Sequence, residues 1–172
     1  VYMGTARYRH AVEIPAGWAG KRVWLKVGGV RTEAWFWVNQ RRVAHLNTYC
    51  GTYKYDITDL VTPGQTAEIV ATVRNDTPSR KGVMAAFHRF GGFYRDIELE
   101  DTPTTRLDDV WVRGDFDNRA ALVNVSVRGA GGTPPAAPAV EVVVRTADGQ
   151  AAGKHRQPLS LDAEGGADTV CG

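Results

Sequence analysis

The chain has 172 residues, of which 43% are hydrophobic and 23% charged, and its net charge is +2. This composition is typical of a globular protein with a packed core. No run of basic residues is longer than two, which argues against a basic stripe and a nucleic-acid partner. No apolar run approaches the roughly 18 residues of a membrane-spanning helix, so we expect no membrane partner.

Cys50 and Cys171 are the two cysteines of the sequence. Two are too few for a disulfide-stapled small domain, although a single bridge stays open. Cys50 lies in a predicted loop without a neighbouring histidine, which favours a passive thiol over a nucleophile. No signal peptide is visible, so the localisation stays open. Both ends interrupt the strand pattern, and we expect the chain to be part of a longer protein.

The first two predicted strands alternate apolar and polar side chains, as half-buried strands do. The first, over 7–14, turns these residues inward: Tyr8, His10, Val12 and Ile14. The second, over 21–27, turns these inward: Val23, Leu25 and Val27.

The third strand, predicted over 33–38, is apolar on both faces because Trp35 and Trp37 oppose its aliphatic face. Such a strand is covered on both sides, or one face lines a groove. Paired indole rings on a sheet can stack on sugar rings, but aromatic residues more often fill a core or an interface between domains. We therefore favour core packing for both tryptophans.

A turn at Asn39-Gln40 leads into further predicted strands at 42–45, 52–57 and 67–74. The segment from Asn75 to Gly92 is irregular, and loops of this length are often functional. It carries basic and aromatic residues, including His88. Such a loop suits an anionic sugar, or it packs on a neighbouring domain.

Two glycines, Gly91 and Gly92, open the stretch around which the sequence is organised. A strand predicted over 93–100 follows, with Arg95 on the face of its core residues and Asp96 on the opposite face. Asp96 therefore sits on a rigid strand beside a long loop, where it can contact a ligand. The alternative is that Arg95 and Asp96 are ordinary solvated strand charges.

A new β unit is predicted after a short linker, with a boundary near residue 104. Its strands are expected over 109–113, 121–128 and 140–145, with a turn at 148–149 and a further strand from 159 to 163. No segment shows a helical period, so the fold class is all-β. The second unit has fewer strands than the roughly seven of an immunoglobulin-like sandwich.

Five motifs in order resemble the sugar-binding domain of glycoside hydrolase family 2: 8–15, 21–30, 34–39, 51–60 and 90–99. The resemblance implies a jelly-roll sugar-binding domain over 1–103 with its opening strands missing, and a truncated immunoglobulin-like β-sandwich over 104–172. In the family a TIM-barrel catalytic domain follows, and departures here include Gln40 in place of the usual glycine at the hairpin turn. The fold expected is therefore a jelly-roll β-sandwich and a partial immunoglobulin-like β-sandwich.

The resemblance also implies that this chain is the non-catalytic front part of a retaining enzyme for β-linked glycosides. Retaining hydrolysis uses two carboxyl groups about 5–5.5 Å apart, and in the family both lie on the barrel, outside this chain. Hence no catalytic residue is expected, and the glutamates Glu33, Glu98 and Glu100 are interpreted as surface residues. The substrate-binding candidates are Asp96 first, then Arg95 and His88.

The resemblance implies no cofactor, although a cation near Asp96 is conceivable. The partners implied are a carbohydrate and the missing catalytic barrel, and a homo-oligomer is compatible with the sequence. Two alternatives from other classes are a stand-alone carbohydrate-binding module and a purely structural β-sandwich adaptor. The second β unit favours the enzyme, since a lone module needs no partial sandwich behind it.

Overall fold

The computed structural model describes residues 4–48, 50–75, 91–129, 137–162 and 165–171. In these ranges the secondary structure is β-strands and two 3-10 turns, with no α-helix. The prediction of an all-β sandwich protein is confirmed. Among the described residues, no helix has the length and apolar character needed to cross a membrane. The chain divides into two compact units, Val1–Thr102 and Pro103–Gly172.

The first unit is built from two antiparallel sheets. Its strands are β1 (Thr5–Glu13), β2 (Arg22–Val27), β3 (Val30–Val38), β4 (Arg41–Thr48), β5 (Tyr53–Asp56), β6 (Thr66–Arg74), β7 (Gly92–Phe93) and β8 (Ile97–Thr102). The larger sheet has the order β1-β6-β3-β4, with β7 also paired to β3, and the smaller has the order β5-β2-β8. The 3-10 turns are Ala16–Trp18 and Thr58–Leu60.

The core of the first unit lies between these two sheets. The smaller sheet contributes the predicted inward face of β2, and the larger sheet contributes alternate residues of β3. Phe36 on β3 is the largest fully buried side chain. Burying one such side chain contributes roughly 1.5–3 kcal/mol to the free energy of unfolding. The buried residues follow the apolar–polar alternation of the sequence, which therefore predicts most of this core.

Trp35 and Trp37 lie on the outer face of β3 and are half-buried. The inner face of that strand carries fully buried residues: Ala34, Phe36 and Val38. Our interpretation of the two tryptophans as filler of the sandwich core is therefore wrong. The cover of Trp35 comes instead from side chains on the outer face of the same sheet, His45 and Arg74.

A two-residue turn at Asn39-Gln40 joins β3 to β4. Both residues have positive φ angles, 46° and 67°, as tight hairpin turns require. The turn is thus not lengthened, but Gln40 occupies a left-handed conformation that is unfavourable for a residue with a Cβ. The Asn39 side chain fixes the turn by donating to the carbonyl of Leu60 (2.7 Å) and accepting from the amide of Glu68 (2.9 Å).

The second unit contains β9 (Arg106–Asp115), β10 (Ala120–Arg128), β11 (Ala139–Arg145), β12 (Ala151–Pro158) and β13 (Ala167–Cys171). One sheet has the order β13-β10-β9, and β11 and β12 form a hairpin. The strand predicted from 159 to 163 is wrong, because residues 159–162 form no strand. The sequence pattern did not predict β12, because nearly all of its residues are exposed and the strand therefore lacks an apolar face.

Both cysteines are free thiols, so no disulfide joins them. Cys171 is 1% exposed and packs with valines of β10 in the core of the second unit. Cys50 is exposed in the loop before β5.

Candidate functional site

The chain crosses between the two sheets of the first unit at one corner, which we call the crossing corner. There Gly28-Gly29 joins β2 to β3, and residues 94–96 join β7 to β8. The amide of Gly28 donates to the carbonyl of Asp96 (2.9 Å), and the amide of Tyr94 donates to the carbonyl of Gly29 (3.2 Å). The two crossings therefore fix each other by backbone hydrogen bonds.

Gly28 and Gly29 are required for this close approach. A Cβ on Gly28 would lie 2.8 Å from the carbonyl oxygen of Asp96, and one on Gly29 would lie 2.5 Å from the ring of Tyr94. Both distances are shorter than van der Waals contact. At Gly28 the contact is with backbone, so only a residue without a side chain fits, whereas at Gly29 the ring of Tyr94 would have to move. The glycine pair is thus a local sequence signal for the corner.

The continuous strand predicted over 93–100 is wrong. Phe93 pairs with Val30 in the larger sheet, whereas Ile97 pairs with Val27 in the smaller one. Residues 94–96 form a bend between these pairings, so Asp96 lies in a crossing and not on a strand face. The predicted packing of the following strand is confirmed, because Ile97 and Leu99 contact the core.

The crossing corner places Asp96 and Arg95 next to each other in solvent. Both residues are exposed, as is Tyr94 at 48%. Within the described part of the chain, the carboxylate of Asp96 has no hydrogen-bond or ion-pair partner. His88 lies outside the described residues, so its predicted role in substrate binding stays a prediction. No group of three or more residues that could hold a metal ion occurs among the described residues.

Thr52, before β5, also contacts the crossing corner. The hydroxyl of Thr52 donates to the carbonyl of Gly28 (3.2 Å). The hydroxyl of Thr48 donates to the carbonyl of Cys50 (2.8 Å) and lies 2.9 Å from that of Tyr53. The sequence did not predict the role of Thr52, because its hydrogen bond joins the start of β5 to the end of β2, and the sequence pattern alone does not show that these strands are neighbours.

A second cluster that the sequence did not predict lies on the outer face of the larger sheet. Glu33, which we interpreted as a surface residue, is only 8% exposed. Its carboxylate accepts a hydrogen bond from the guanidinium of Arg74 (2.6 Å) and lies 3.0 Å from Nε2 of His45. The interpretation of Glu33 as a surface residue is therefore wrong. A buried carboxylate requires partners, and the neighbouring strands β4 and β6 supply them.

Trp35 covers this buried carboxylate. Its indole stacks on the ring of His45, with centroids 4.9 Å apart and planes at 3°. The guanidinium of Arg74, on the neighbouring strand at the other side, lies 5.7 Å from the indole centroid. Because His45 and Arg74 flank it from opposite strands, Trp35 does not offer the free face that stacking on a sugar ring needs.

The outer face of the smaller sheet carries partly exposed ion pairs. The ammonium of Lys26 lies 2.8 Å from Glu98 and 2.7 Å from Glu100, and that of Lys54 lies 2.5 Å from Glu100. These contacts hold the pKa of Glu100 below its ordinary value, with Lys26 the larger cause and Lys54 the second. They raise the pKa of Lys26, mainly through Glu100. A lowered pKa is the wrong direction for a general acid at neutral pH.

Comparison with known proteins places the first unit in a family. A family model described as glycosyl hydrolases family 2, sugar binding domain, matches residues 1–103. The β-glucuronidase of Bacteroides fragilis is 29% identical over 103 residues, which cover 59% of this chain and 15% of that protein. The β-glucuronidase of Rattus norvegicus is 28% identical over 157 residues, which cover 74% of this chain and 24% of that protein.

Solved structures agree with the fold over almost the whole chain. A putative β-galactosidase from Bacteroides fragilis superposes with a TM-score of 0.84 at 24% identity, covering 99% of this chain and 27% of that one. A β-glucuronidase of glycoside hydrolase family 2 gives a TM-score of 0.83 at 17% identity, covering 99% and 20%. The chain thus spans about a quarter or less of the length of these relatives.

Proposed function

Because this chain belongs to glycosyl hydrolase family 2 through its sugar binding domain at residues 1–103, we propose that it is the non-catalytic N-terminal portion of a retaining enzyme for β-linked glycosides. It braces a catalytic barrel that lies outside these residues. Residues 1–103 form its jelly-roll domain, and 104–172 begin an immunoglobulin-like domain.

In this proposal the crossing corner contributes Asp96 to the substrate pocket of the barrel. The observation that supports it is an exposed carboxylate that has no partner among the described residues, on a backbone that hydrogen bonds to Gly28 and Gly29 hold in place. Because the backbone is held, only the short side chain of Asp96 has to be ordered when its carboxylate accepts a hydrogen bond from a sugar hydroxyl, which limits the loss of conformational entropy. Arg95 is exposed beside it and supplies a donor for substrate oxygens.

Three glutamates of the described strands, Glu33, Glu98 and Glu100, are poor candidates for hydrolysis. Glu98 and Glu100 are neutralised by Lys26 and Lys54, and Glu33 is held by Arg74 and His45. A retaining enzyme needs one carboxylic acid that stays protonated until it transfers its proton. None of the three is placed to do so, which supports a catalytic pair outside this chain.

The substitution Asp96→Asn in the full-length enzyme tests the role of the corner. A charge-assisted hydrogen bond contributes about 1.5–3 kcal/mol, so we expect kcat/KM for β-glycosides to fall roughly 10- to 150-fold. Unfolding temperature should stay unchanged, because the side chain has no partner among the described residues. Asp59→Asn is the matched control, since Asp59 is exposed beside the opposite end of β2. Equal kinetics for both variants would return Asp96 to a solvated surface role.

Titration calorimetry of the 172-residue chain with β-glycosides tests the alternative of a stand-alone carbohydrate-binding module. The proposal expects no measurable heat of binding, because the substrate pocket needs the barrel. Saturable binding of a sugar by this chain alone would instead support the module.

A further inference from the structure

The tyrosine of the crossing corner, Tyr94, packs against a position that carries no side chain. A Cβ added to Gly29 would lie 2.5 Å from two ring carbons of Tyr94, Cε2 and Cζ, and 3.0 Å from its hydroxyl oxygen. The three heavy atoms nearest to that Cβ all belong to Tyr94, and Gly29 does not have a positive φ. The backbone conformation at Gly29 therefore does not require glycine, but the position of the Tyr94 ring does.

The contact with Gly29 orders the Tyr94 side chain without burying it. The amide of Tyr94 donates to the carbonyl of Gly29 (3.2 Å), so the backbone and the ring are held against the same residue. Tyr94 is nevertheless 48% exposed, and its hydroxyl has no hydrogen-bond partner in the part of the chain that the structure describes. An exposed ring that is already ordered loses little further conformational entropy when a ligand packs on it.

Asp96 lies two residues further along the same crossing and is also exposed. Two residues of chain span at most about 7 Å, so the ring of Tyr94 and the carboxylate of Asp96 can contact one sugar unit together. A sugar ring presents C–H groups on its faces and hydroxyl groups around its rim. Ligand pockets combine apolar or aromatic walls with a few polar groups that fix orientation, and this crossing supplies one of each.

We propose that Tyr94 is the aromatic wall of the substrate pocket, and that its ring packs on the C–H face of the sugar unit whose hydroxyl Asp96 binds. The inference rests on the proposed function, because the crossing corner must face the pocket of the barrel. Tyr94 contacts the sugar that Asp96 holds and not the leaving group. Its ring contributes to substrate binding, and no bond is made or broken through it.

The test compares the kinetics of the full-length enzyme with those of its Tyr94→Leu variant. Leucine keeps an apolar side chain at the corner but lacks an aromatic face. We expect KM to rise about 3- to 10-fold, the equivalent of one aromatic contact, with kcat nearly unchanged, as loss of uniform binding predicts. The substrate is the 4-nitrophenyl β-glycoside that the full-length enzyme cleaves fastest. The methyl β-glycoside of the same sugar should show the same rise.

Two further variants separate a contact with the sugar from packing of the corner. Tyr94→Phe keeps the ring and should recover most of the lost affinity. Gly29→Ala leaves Tyr94 in the sequence but places a Cβ where its ring lies, so it should raise KM by a similar factor. In the Tyr94→Leu background Gly29→Ala should raise KM little further, because leucine does not extend to the positions of Cε2 and Cζ and the two effects are not additive.

Tyr8→Leu is the matched control for the loss of an aromatic ring. Tyr8, which the sequence turns inward, lies on β1 and has the same exposed fraction of 48%. Its ring contacts that of Phe93, with centroids 5.1 Å apart, and not the glycines of the crossing corner. Its KM should match that of the parent enzyme, and unfolding temperatures show that each variant is folded.

The outcomes separate this inference from the role of Asp96. An unchanged KM in Tyr94→Leu or in Gly29→Ala, a Phe variant as impaired as the Leu variant, or a rise confined to the 4-nitrophenyl substrate would overturn the proposal. If Asp96→Asn lowers kcat/KM while Tyr94→Leu has no effect, the proposed function survives and the role of Tyr94 fails. A higher KM in Tyr94→Leu with parent kinetics in Asp96→Asn would support Tyr94 and overturn the role of Asp96.

Discussion

The two sheets of the first unit carry ionic contacts on their outer faces, and these contacts differ in burial. On the smaller sheet the pairs are partly exposed and shared, since Lys26 contacts both Glu98 and Glu100. On the larger sheet Arg9 and Glu68 also form a partly exposed pair, but the carboxylate of Glu33 is buried between Arg74 and His45. Exposed pairs contribute about 0–1 kcal/mol each, whereas removing one partner of a buried charge is far more destabilising. Burial of the charges, and not the number of ion pairs, therefore decides which face contributes more to stability.

The largest effect is expected for Arg74→Met on the larger sheet. The variant leaves the carboxylate of Glu33 without its shortest hydrogen bond, in surroundings that expose only 10% of that side chain. We expect a loss of about 2–3 kcal/mol in the free energy of unfolding, below the full range for buried pairs because Arg74 itself is partly exposed. Urea denaturation measures it.

The double variant Glu33→Met/Arg74→Met is the control for this prediction. With the buried charge and its partner both replaced by apolar side chains, most of the loss should be recovered. A double variant as unstable as Arg74→Met alone would show that the loss comes from other contacts of Arg74.

A smaller loss is expected for His45→Ala. The imidazole lies 3.0 Å from the carboxylate of Glu33 and stacks on Trp35. Losing both contacts should lower stability by about 1–2 kcal/mol, since the carboxylate keeps Arg74. His45→Phe retains a stacking ring and should lose less, and a Phe variant as unstable as the Ala variant would contradict a contribution from stacking. Denaturant midpoints compare the two.

Acid should weaken the smaller sheet and its neighbouring turn. Burial raises the pKa of Asp56, but hydrogen bonds from Thr58 and Arg22 outweigh it and hold that pKa below its ordinary value of 3.8. The pKa of Glu100 is likewise below its ordinary 4.5. The unfolded chain thus binds these protons first, so the stabilisation is complete well above pH 4.5 and is lost as the pH falls through the lowered values. Unfolding free energies of Glu100→Gln should show a weaker acid dependence than those of the parent chain.

The sequence predicts those features that depend on neighbours along the chain. The alternation in β2 identifies Val23, Leu25 and Val27 as core. Gly28 marks the corner because the backbone of Asp96 approaches too closely for a Cβ there. The break at 94–96 is not predictable in this way. Phe93 and Ile97 are four residues apart, a spacing that suits one continuous strand, yet they pair in different sheets.

The cluster at Glu33 shows the same limit. It needs the register of three strands, which sets Glu33 opposite Arg74 and Trp35 opposite His45. No local pattern contains that register, and a glutamate next to an apolar strand is usually a surface residue. For the candidate site the sequence predicts Asp96 and Arg95, whose role stays a prediction, but not Thr52, whose hydrogen bond joins residues far apart along the chain.

The smallest effect is expected for Glu100→Gln, and its salt dependence tests the comparison directly. The glutamate shares Lys26 with Glu98, also contacts Lys54 and is partly exposed, so its removal should lower stability by less than about 1 kcal/mol. At 1 M NaCl the screening length falls to about 3 Å, and the difference from the parent chain should nearly vanish. The loss caused by Arg74→Met should persist at the same salt, because ions do not reach the buried carboxylate of Glu33. If 1 M NaCl removed the stability losses of Glu100→Gln and Arg74→Met equally, the difference in burial between the ionic contacts of the two sheets would not affect stability.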